Sequence, residues 1–194
     1  MAKHKGLSFI QKKKIISKQL IHDIFGMVFF TFAAILLAFV VIFCFGVRTS
    51  VIGVSMEPAL YNGQEVLIDQ FIYRISSPRR NDIVVFLPNG NQNSHSYLKR
   101  VVGLPGETVQ IIEGYVYIDG VMLDEDDTYD KIADPGIAQN PILLGNDEYF
   151  VLGDNRNNSE DSRSGNVGTV SKKTIIGKAW FHMASGDAGM GLVD

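Results

Sequence analysis

The sequence predicts a mainly β protein: a mixed antiparallel or barrel-like β-sheet domain behind one N-terminal transmembrane helix. One uncharged apolar run near the N-terminus is long enough to cross a bilayer. After it, short runs rich in Val, Ile, Phe and Tyr alternate with turn residues, and no helical periodicity longer than two turns is visible. The chain has 194 residues, of which 46% are hydrophobic, so it is too apolar to be disordered and long enough for one domain plus an additional segment.

The first element is the apolar run of residues 24–47, which contains no Lys, Arg, His, Asp or Glu. As a helix it would extend roughly 36 Å, more than a hydrocarbon core of about 30 Å. A secretory apolar segment is usually about 7–15 residues long, so we expect this run to remain as an anchor. A buried core helix is the alternative, which the lack of a polar face disfavours.

Charge sets the expected topology of the anchor. Residues 1–23 carry six lysines and one aspartate, whereas only Arg48 directly follows the run. The positive-inside rule then predicts a basic cytoplasmic N-terminus (1–23), an anchor (24–47) and an extracytoplasmic β-rich domain (48–194) in the cell membrane.

The domain beyond the anchor is acidic and has no thiol. Residues 49–194 hold 11 basic and 20 acidic residues, and the single cysteine, Cys44, falls inside the anchor. This composition excludes an internal disulfide framework and a Cys-rich zinc site, and it argues against nucleic acid as a partner. An EF-hand starting at Asp124 fails because Tyr129 and Pro135 stand where Gly and Glu are required. We expect no metal and no cofactor.

Five apolar runs are predicted to be strands, and turn signals separate them. They are residues 65–68, 83–87, 108–112, 115–118 and 149–152. Glu113-Gly114 predicts a hairpin turn, and Asp119-Gly120 predicts the next turn. The polar, acidic residues 124–141 predict an exposed loop.

A candidate nucleophile follows the anchor closely. Ser55 lies between Gly53 and Pro58, a constrained backbone that suits a hydroxyl held at a fixed angle. His95, in a polar loop, and His182, near the C-terminus, are the histidines that could serve it as a base. They leave a Ser-His-Asp triad open, although neither has an acid beside it in the sequence.

A lysine is the better candidate for the base. Lys99 and Arg100 stand side by side in an apolar strand, so one of them must face the core. If Lys99 is buried, its pKa falls below the usual 10.4 or so and its neutral amine can accept a proton from a serine near neutral pH. A solvated edge lysine is the alternative. The polar segment 153–163 predicts a rigid loop in which Asp161 can pair with Arg163.

These segments, in this order behind an anchor, resemble the type I signal peptidases, membrane-anchored Ser/Lys proteases that remove signal peptides from exported proteins. The matching blocks are residues 53–60 (GVSMEPAL), 80–86 (RNDIVVF), 97–107 (YLKRVVGLPGE), 153–163 (GDNRNNSEDSR) and 176–179 (IGKA). The chain is similar to the short, single-anchor form typical of Gram-positive bacteria. Asn81 stands where the family usually has Gly, and it can adopt the same positive φ.

The resemblance implies a role for each matching residue. Ser55 would be the nucleophile, and Lys99 the general base that later protonates the leaving amine. Ser159 would hydrogen-bond Lys99 and fix its direction, while Asp161 and Arg163 would support their loop.

The resemblance also implies an oxyanion site and substrate pockets. The backbone N–H of Ser55 would donate to the oxyanion. Some relatives have a serine two residues before the nucleophile, but this chain has Gly53, so a second donor has to be a backbone group such as that of Gly53. The pockets for small side chains before the cut would be lined by Val51, Met56, Leu60 and Leu98.

The implied substrates are preproteins cut after small residues in an A-x-A-like pattern. The bilayer is an implied partner, and the secretion translocon is a further candidate. Self-cleaving Ser/Lys repressors carry a DNA-binding domain instead of an anchor, and penicillin-recognising enzymes need Lys where this chain has Pro58. The alternative from another class is a non-catalytic relative that assembles surface structures, which should lack the serine or the lysine.

Overall fold

The computed structural model describes residues 18–91, 94–125, 129–185 and 189–193. The chain divides into two compact units, Met1–Val40 and Val41–Asp194. Helix α1 covers Lys18–Phe45, and its segment Lys18–Val40 is long and apolar enough to cross a membrane. Most of the predicted cytoplasmic segment, residues 1–17, lies outside the described residues.

The second unit is built from short strands. They are β1 (Val47–Ser50), β2 (Glu65–Asp69), β3 (Ile83–Phe86), β4 (Tyr97–Gly103), β5 (Thr108–Ile112), β6 (Tyr115–Ile118), β7 (Val121–Met122), β8 (Ile142–Leu143), β9 (Glu148–Leu152), β10 (Val170–Ser171), β11 (Ile175–His182) and β12 (Gly191–Leu192). The helical pieces are α2 (Ile72–Ile75) and three 3-10 turns, Pro88–Gly90, Gly136–Gln139 and Lys172–Thr174. All five apolar runs predicted as strands are strands.

The strands form two antiparallel sheets. The larger has the order β1-β2-β11-β3-β4-β9-β10, with β12 paired to β11, and the smaller has the order β7-β6-β5-β8. The predicted mainly β antiparallel fold behind an apolar helix is therefore confirmed. The hairpin turn at Glu113-Gly114 and the turn at Asp119-Gly120 both form, with positive φ at all four residues.

Two apolar clusters hold the site in place. Val102 of β4 and Leu152 of β9 pack with Val109 and Val116 of the smaller sheet, so this cluster joins the two sheets. In the second cluster, side chains from residues 51–60 pack with others from β2, β3 and β11. Strand β4 is buried from Leu98 to Gly103, and this burial on both faces determines the surroundings of its charged side chains.

The acidic segment 124–141, predicted to be an exposed loop, is only partly exposed. Within residues 124–141, Ile132 and Ala138 are buried in the cluster that joins the sheets. Apolar burial of these two side chains outweighs the polar composition around them, which a segment average conceals.

We predict that Gly103→Ala destabilises the second unit. A Cβ at Gly103 would lie 2.5 Å from Val109 Cγ2, 2.8 Å from Leu144 Cδ1 and 2.9 Å from Phe150 Cβ. Overpacking of this kind costs about 1–3 kcal/mol, which urea unfolding in detergent can measure. The control is Gly165→Ala, where a Cβ meets nothing within 4 Å. Equal stabilities of the two variants would contradict the packing described.

Candidate active site

Ser55 is carried by the loop that joins β1 to β2. Hydrogen bonds close the loop: Val51 N donates to Gln64 O at 2.9 Å, and Leu60 N donates to Met56 O at 2.8 Å. From the other side, Asn155 N donates to the carbonyl oxygen of Ser55 at 3.1 Å. The serine is therefore fixed between two segments that are distant in sequence.

The end of this loop is anchored by a buried amide. Gln64 Oε1 accepts from Tyr61 N at 3.1 Å, and its Nε2 contacts His182 Nδ1 at 2.8 Å and Met183 O at 2.9 Å. His182, a candidate base in the sequence, thus contacts a structural glutamine. The other candidate, His95, is exposed on the wall of the cleft beside Ser55.

Lys99 is the side chain that meets the serine. Its Nζ lies 2.7 Å from Ser55 Oγ, and the residue is only 4% exposed. Burial lowers the pKa of Lys99 from 10.5 to about 8, against an opposing effect of the Asp161, Glu160 and Asp154 carboxylates. The amine is thus close enough to accept the hydroxyl proton and is neutral at an accessible pH.

Arg100, the neighbouring cation, lies on the opposite face of the strand, because successive side chains of a strand alternate between its two faces. Arg100 places Nε and Nη2 2.8 Å from the two carboxylate oxygens of Asp154, and its Nη1 lies 2.9 Å from Asn81 O. Asn81 has the positive φ expected of it, +72°. Lys99 and Arg100 are therefore both buried, one facing the serine and the other binding the 153–163 loop.

The 153–163 loop is held by a second buried ion pair. Arg163 Nε and Nη2 each lie 2.8 Å from an oxygen of the fully buried Asp161, which also accepts from Gly153 N at 3.1 Å. Arg156 in the same loop binds Glu125 through two hydrogen bonds, of 2.7 and 2.6 Å. The structure thus forms the predicted Asp161–Arg163 pair.

Three expectations about supporting residues are not met. The hydroxyl of Ser159 is buried without a hydrogen-bond partner in the described chain, so the predicted bond to Lys99 is not formed. The Gly53 N–H donates to Asn62 Oδ1 at 2.9 Å, which leaves it unavailable to an oxyanion in this conformation. Leu60 does not line the cleft: its side chain is fully buried in the cluster formed by residues 51–60 with β2, β3 and β11.

A cleft of about 340 Å³ opens beside Ser55 and Lys99. Its walls include three of the predicted pocket residues, Val51, Met56 and Leu98. Sequence reasoning missed several other wall residues, among them Tyr97 and Glu160. The spacing could have identified Tyr97, because residues 97 and 99 share a face of a strand.

A serine hydroxyl in contact with a buried basic side chain, beside a partly apolar cleft, is the arrangement of a nucleophile with its base, as in a serine hydrolase. The family described as "Signal peptidase, peptidase S26" matches residues 24–184. The chain belongs to this signal peptidase family.

Two named signal peptidases agree with this membership. A probable signal peptidase I-2 of Synechocystis is 39% identical over 72% of this chain and 66% of its own length. Signal peptidase I P of Bacillus subtilis subsp. natto is 35% identical over 74% of this chain and 82% of its own length. This chain is also similar to the crystal structure of a signal peptidase I from Enterococcus faecalis. The two are 33% identical, the match covers 54% of this chain and 97% of the Enterococcus chain, and the TM-score is 0.41.

We predict that Lys99→Met stabilises the protein below pH 8. The folded-state pKa of Lys99, about 8, lies below its ordinary value of 10.5, so burying the ammonium opposes folding fully below pH 8. The penalty falls as pH rises above 8 and is largely gone by pH 10.5, where the folded-state amine is neutral and the unfolded-state amine is half protonated. Replacement by an apolar side chain of similar length should gain up to about 3 kcal/mol at pH 7.

Thermal unfolding in detergent at pH 7 and at pH 10.5 measures this gain. The control is Lys131→Met at an exposed position. A gain for Lys99→Met that is the same at both pH values would show that burial of the charge is not its source.

Proposed function

We propose that this chain removes N-terminal signal peptides from exported preproteins, with Ser55 as the nucleophile and Lys99 as the general base. Signal peptide removal is the activity of the family to which the chain belongs. The observation that carries the assignment of the two residues is the 2.7 Å contact between Lys99 Nζ and Ser55 Oγ, with the amine shielded from water.

Neutral Lys99 accepts the hydroxyl proton of Ser55 as the oxygen attacks the scissile carbonyl carbon. The resulting ammonium then donates that proton to the departing amine, and the signal peptide remains as an ester on Ser55. Water attacks this ester while Lys99 accepts its proton, and Lys99 returns that proton to Ser55 Oγ as the acid leaves. Both half-reactions therefore use the same amine, which ends in its starting state.

The developing oxyanion accepts a hydrogen bond from the backbone N–H of Ser55, which donates to no group in the described part of the chain. The apolar side chains of Val51, Met56 and Leu98 restrict the cleft to small side chains before the cut. This geometry fits the A-x-A-like pattern implied by the resemblance.

The apolar helix is the membrane anchor in this proposal, with the N-terminus in the cytoplasm and the catalytic unit outside. A preprotein and the enzyme then meet in one bilayer, which raises the effective concentration of the cleavage site. The secretion translocon is the partner that would deliver the substrate there.

The proposal predicts that Ser55→Ala and Lys99→Ala each lower kcat/KM for a purified preprotein by about 1,000-fold or more, because each removes one half of the reacting pair. Cleavage in detergent, followed by gel electrophoresis, measures the loss. Ser94→Ala and Lys131→Ala are the controls, at positions outside the Ser55–Lys99 contact. Full cleavage by either active-site variant would exclude this mechanism, and no cleavage by the parent chain would favour the non-catalytic assembly factor.

The pH dependence tests the base separately. Only neutral Lys99 accepts a proton, and its pKa is about 8. We expect kcat/KM to fall tenfold for each pH unit below about 8, measured with one preprotein in a constant-ionic-strength buffer series. A rate that stays level from pH 9 to about pH 5 would exclude Lys99 as the base.

A further inference from the structure

Tyr97 links the buried amine to the neighbouring loop. It lies two residues before Lys99 on the same strand, and the centroid of its ring is 5.4 Å from Lys99 Nζ. The ring packs edge-on against Phe86 at 6.0 Å, and the Tyr97 hydroxyl donates to Glu160 Oε2 at 3.1 Å. Tyr97 therefore contacts Lys99 with its ring and Glu160 with its hydroxyl.

Glu160 differs from the other carboxylates near Lys99. Asp154 is paired with Arg100, and Asp161 is paired with Arg163. Within the described ranges, Glu160 has no ion-pair partner, and its one hydrogen bond is the bond from Tyr97. Its negative charge is thus not neutralised by a cation of its own.

The side chain of Glu160 is exposed on the wall of the cleft that holds Ser55 and Lys99. Both of its sequence neighbours have buried polar atoms: the hydroxyl of Ser159 is buried with no hydrogen-bond partner among the described residues, and Asp161 is fully buried. Because the neighbours are held inside the loop, the backbone at residue 160 is fixed, and the Tyr97 hydroxyl then fixes the direction of the carboxylate.

The charged groups acting on Lys99 can be compared element by element. From the 153–163 loop, the carboxylates of Asp161, Glu160 and Asp154 raise the pKa of Lys99, and Arg163 lowers it. His95 is the remaining ionisable side chain on the cleft wall beside Tyr97. Burial has the largest effect on the pKa of Lys99. Among the three carboxylates, Glu160 is the one that a substitution can remove without breaking an ion pair with an arginine.

We propose that Glu160, held in place by the Tyr97 hydroxyl, is a positioning residue that sets the pH range in which Lys99 acts as a base. This inference rests on the proposed function of Lys99. The unpaired carboxylate favours the ammonium form, so it makes the enzyme less active in acid than it would be with a neutral residue 160. The substitution that tests it is Glu160→Gln, which keeps an acceptor oxygen for Tyr97 and removes the charge.

For Glu160→Gln we expect the acid limb of kcat/KM to move down by about 0.2–0.7 pH unit, the effect typical of an exposed ion pair. At pH 6 this corresponds to a rate about 1.5- to 5-fold above that of the parent. Tyr97→Phe keeps the ring and releases Glu160 into solvent, so it should shift the limb in the same direction. The double variant should match Glu160→Gln alone, since Tyr97 acts through Glu160.

Glu113→Gln is the matched control, because it removes one exposed carboxylate from the hairpin turn of the smaller sheet. If Glu113→Gln shifted the acid limb of kcat/KM equally, the effect would come from the overall charge of the protein, and the proposal would be overturned. An additive shift in the double variant would overturn the part assigned to Tyr97.

A second measurement separates this inference from the proposed function. The pH midpoint of Lys99 acetylation by a brief pulse of acetic anhydride, read by mass spectrometry, reports the amine without any cleavage. If Glu160→Gln leaves this midpoint unchanged, the inference about Glu160 is wrong. If the midpoint moves while the acid limb of cleavage does not, Glu160 acts on Lys99 as inferred, but Lys99 is not the base.

Discussion

The removal of one lysine from water is the constraint on which the rest of the site depends. An ammonium at the position of Lys99 is disfavoured by burial, and that cost lowers the pKa of Lys99 so that its amine is neutral often enough to serve as the proposed base for Ser55. A strand at a sheet edge could not provide this environment. Strand β4 can, because β3 and β9 flank it and both of its faces are covered.

Burial of polar groups then has to be compensated in the neighbouring loop. The 153–163 loop lies against β4 and contains two buried carboxylates and two buried guanidinium groups. Arg100–Asp154 and Arg163–Asp161 are both bidentate, and Arg156 is bidentate to Glu125. Removing one partner of such a pair leaves a buried charge uncompensated, so the pairs hold the loop in one arrangement. That arrangement is what keeps Asn155 bonded to the carbonyl of Ser55.

Local patterns predicted the strands and turns well, because apolar alternation and Gly-containing turns depend on neighbouring residues. The choice of Ser55 and Lys99 came from strand pattern and family resemblance together. What the pattern could not predict is which distant segment meets each side chain. The Gly53 N–H donates to Asn62, and the Leu60 side chain is buried in the core. The hydroxyl of Ser159 has no hydrogen-bond partner in the part of the chain that the structure describes. Arg156 binds Glu125, 31 residues away. Each of these outcomes depends on how the loops close in three dimensions, which strand periodicity does not encode.

The glycine at position 53 has a consequence for the proposed chemistry. Its φ of +83° is a conformation that L side chains rarely adopt, and the Asn62 amide oxygen holds its N–H. A serine placed there would strain the backbone before its hydroxyl could reach an oxyanion. The loop is therefore built around glycine, and in the proposed mechanism oxyanion stabilisation by hydrogen bonds rests on the Ser55 N–H. In the proposed mechanism, proton transfer to Lys99 forms a cation within bonding distance of the attacking oxygen, on a side chain that is only 4% exposed. Coulombic attraction is strong where burial lowers the effective dielectric constant, so this mechanism gives the lysine an electrostatic role in addition to that of the base.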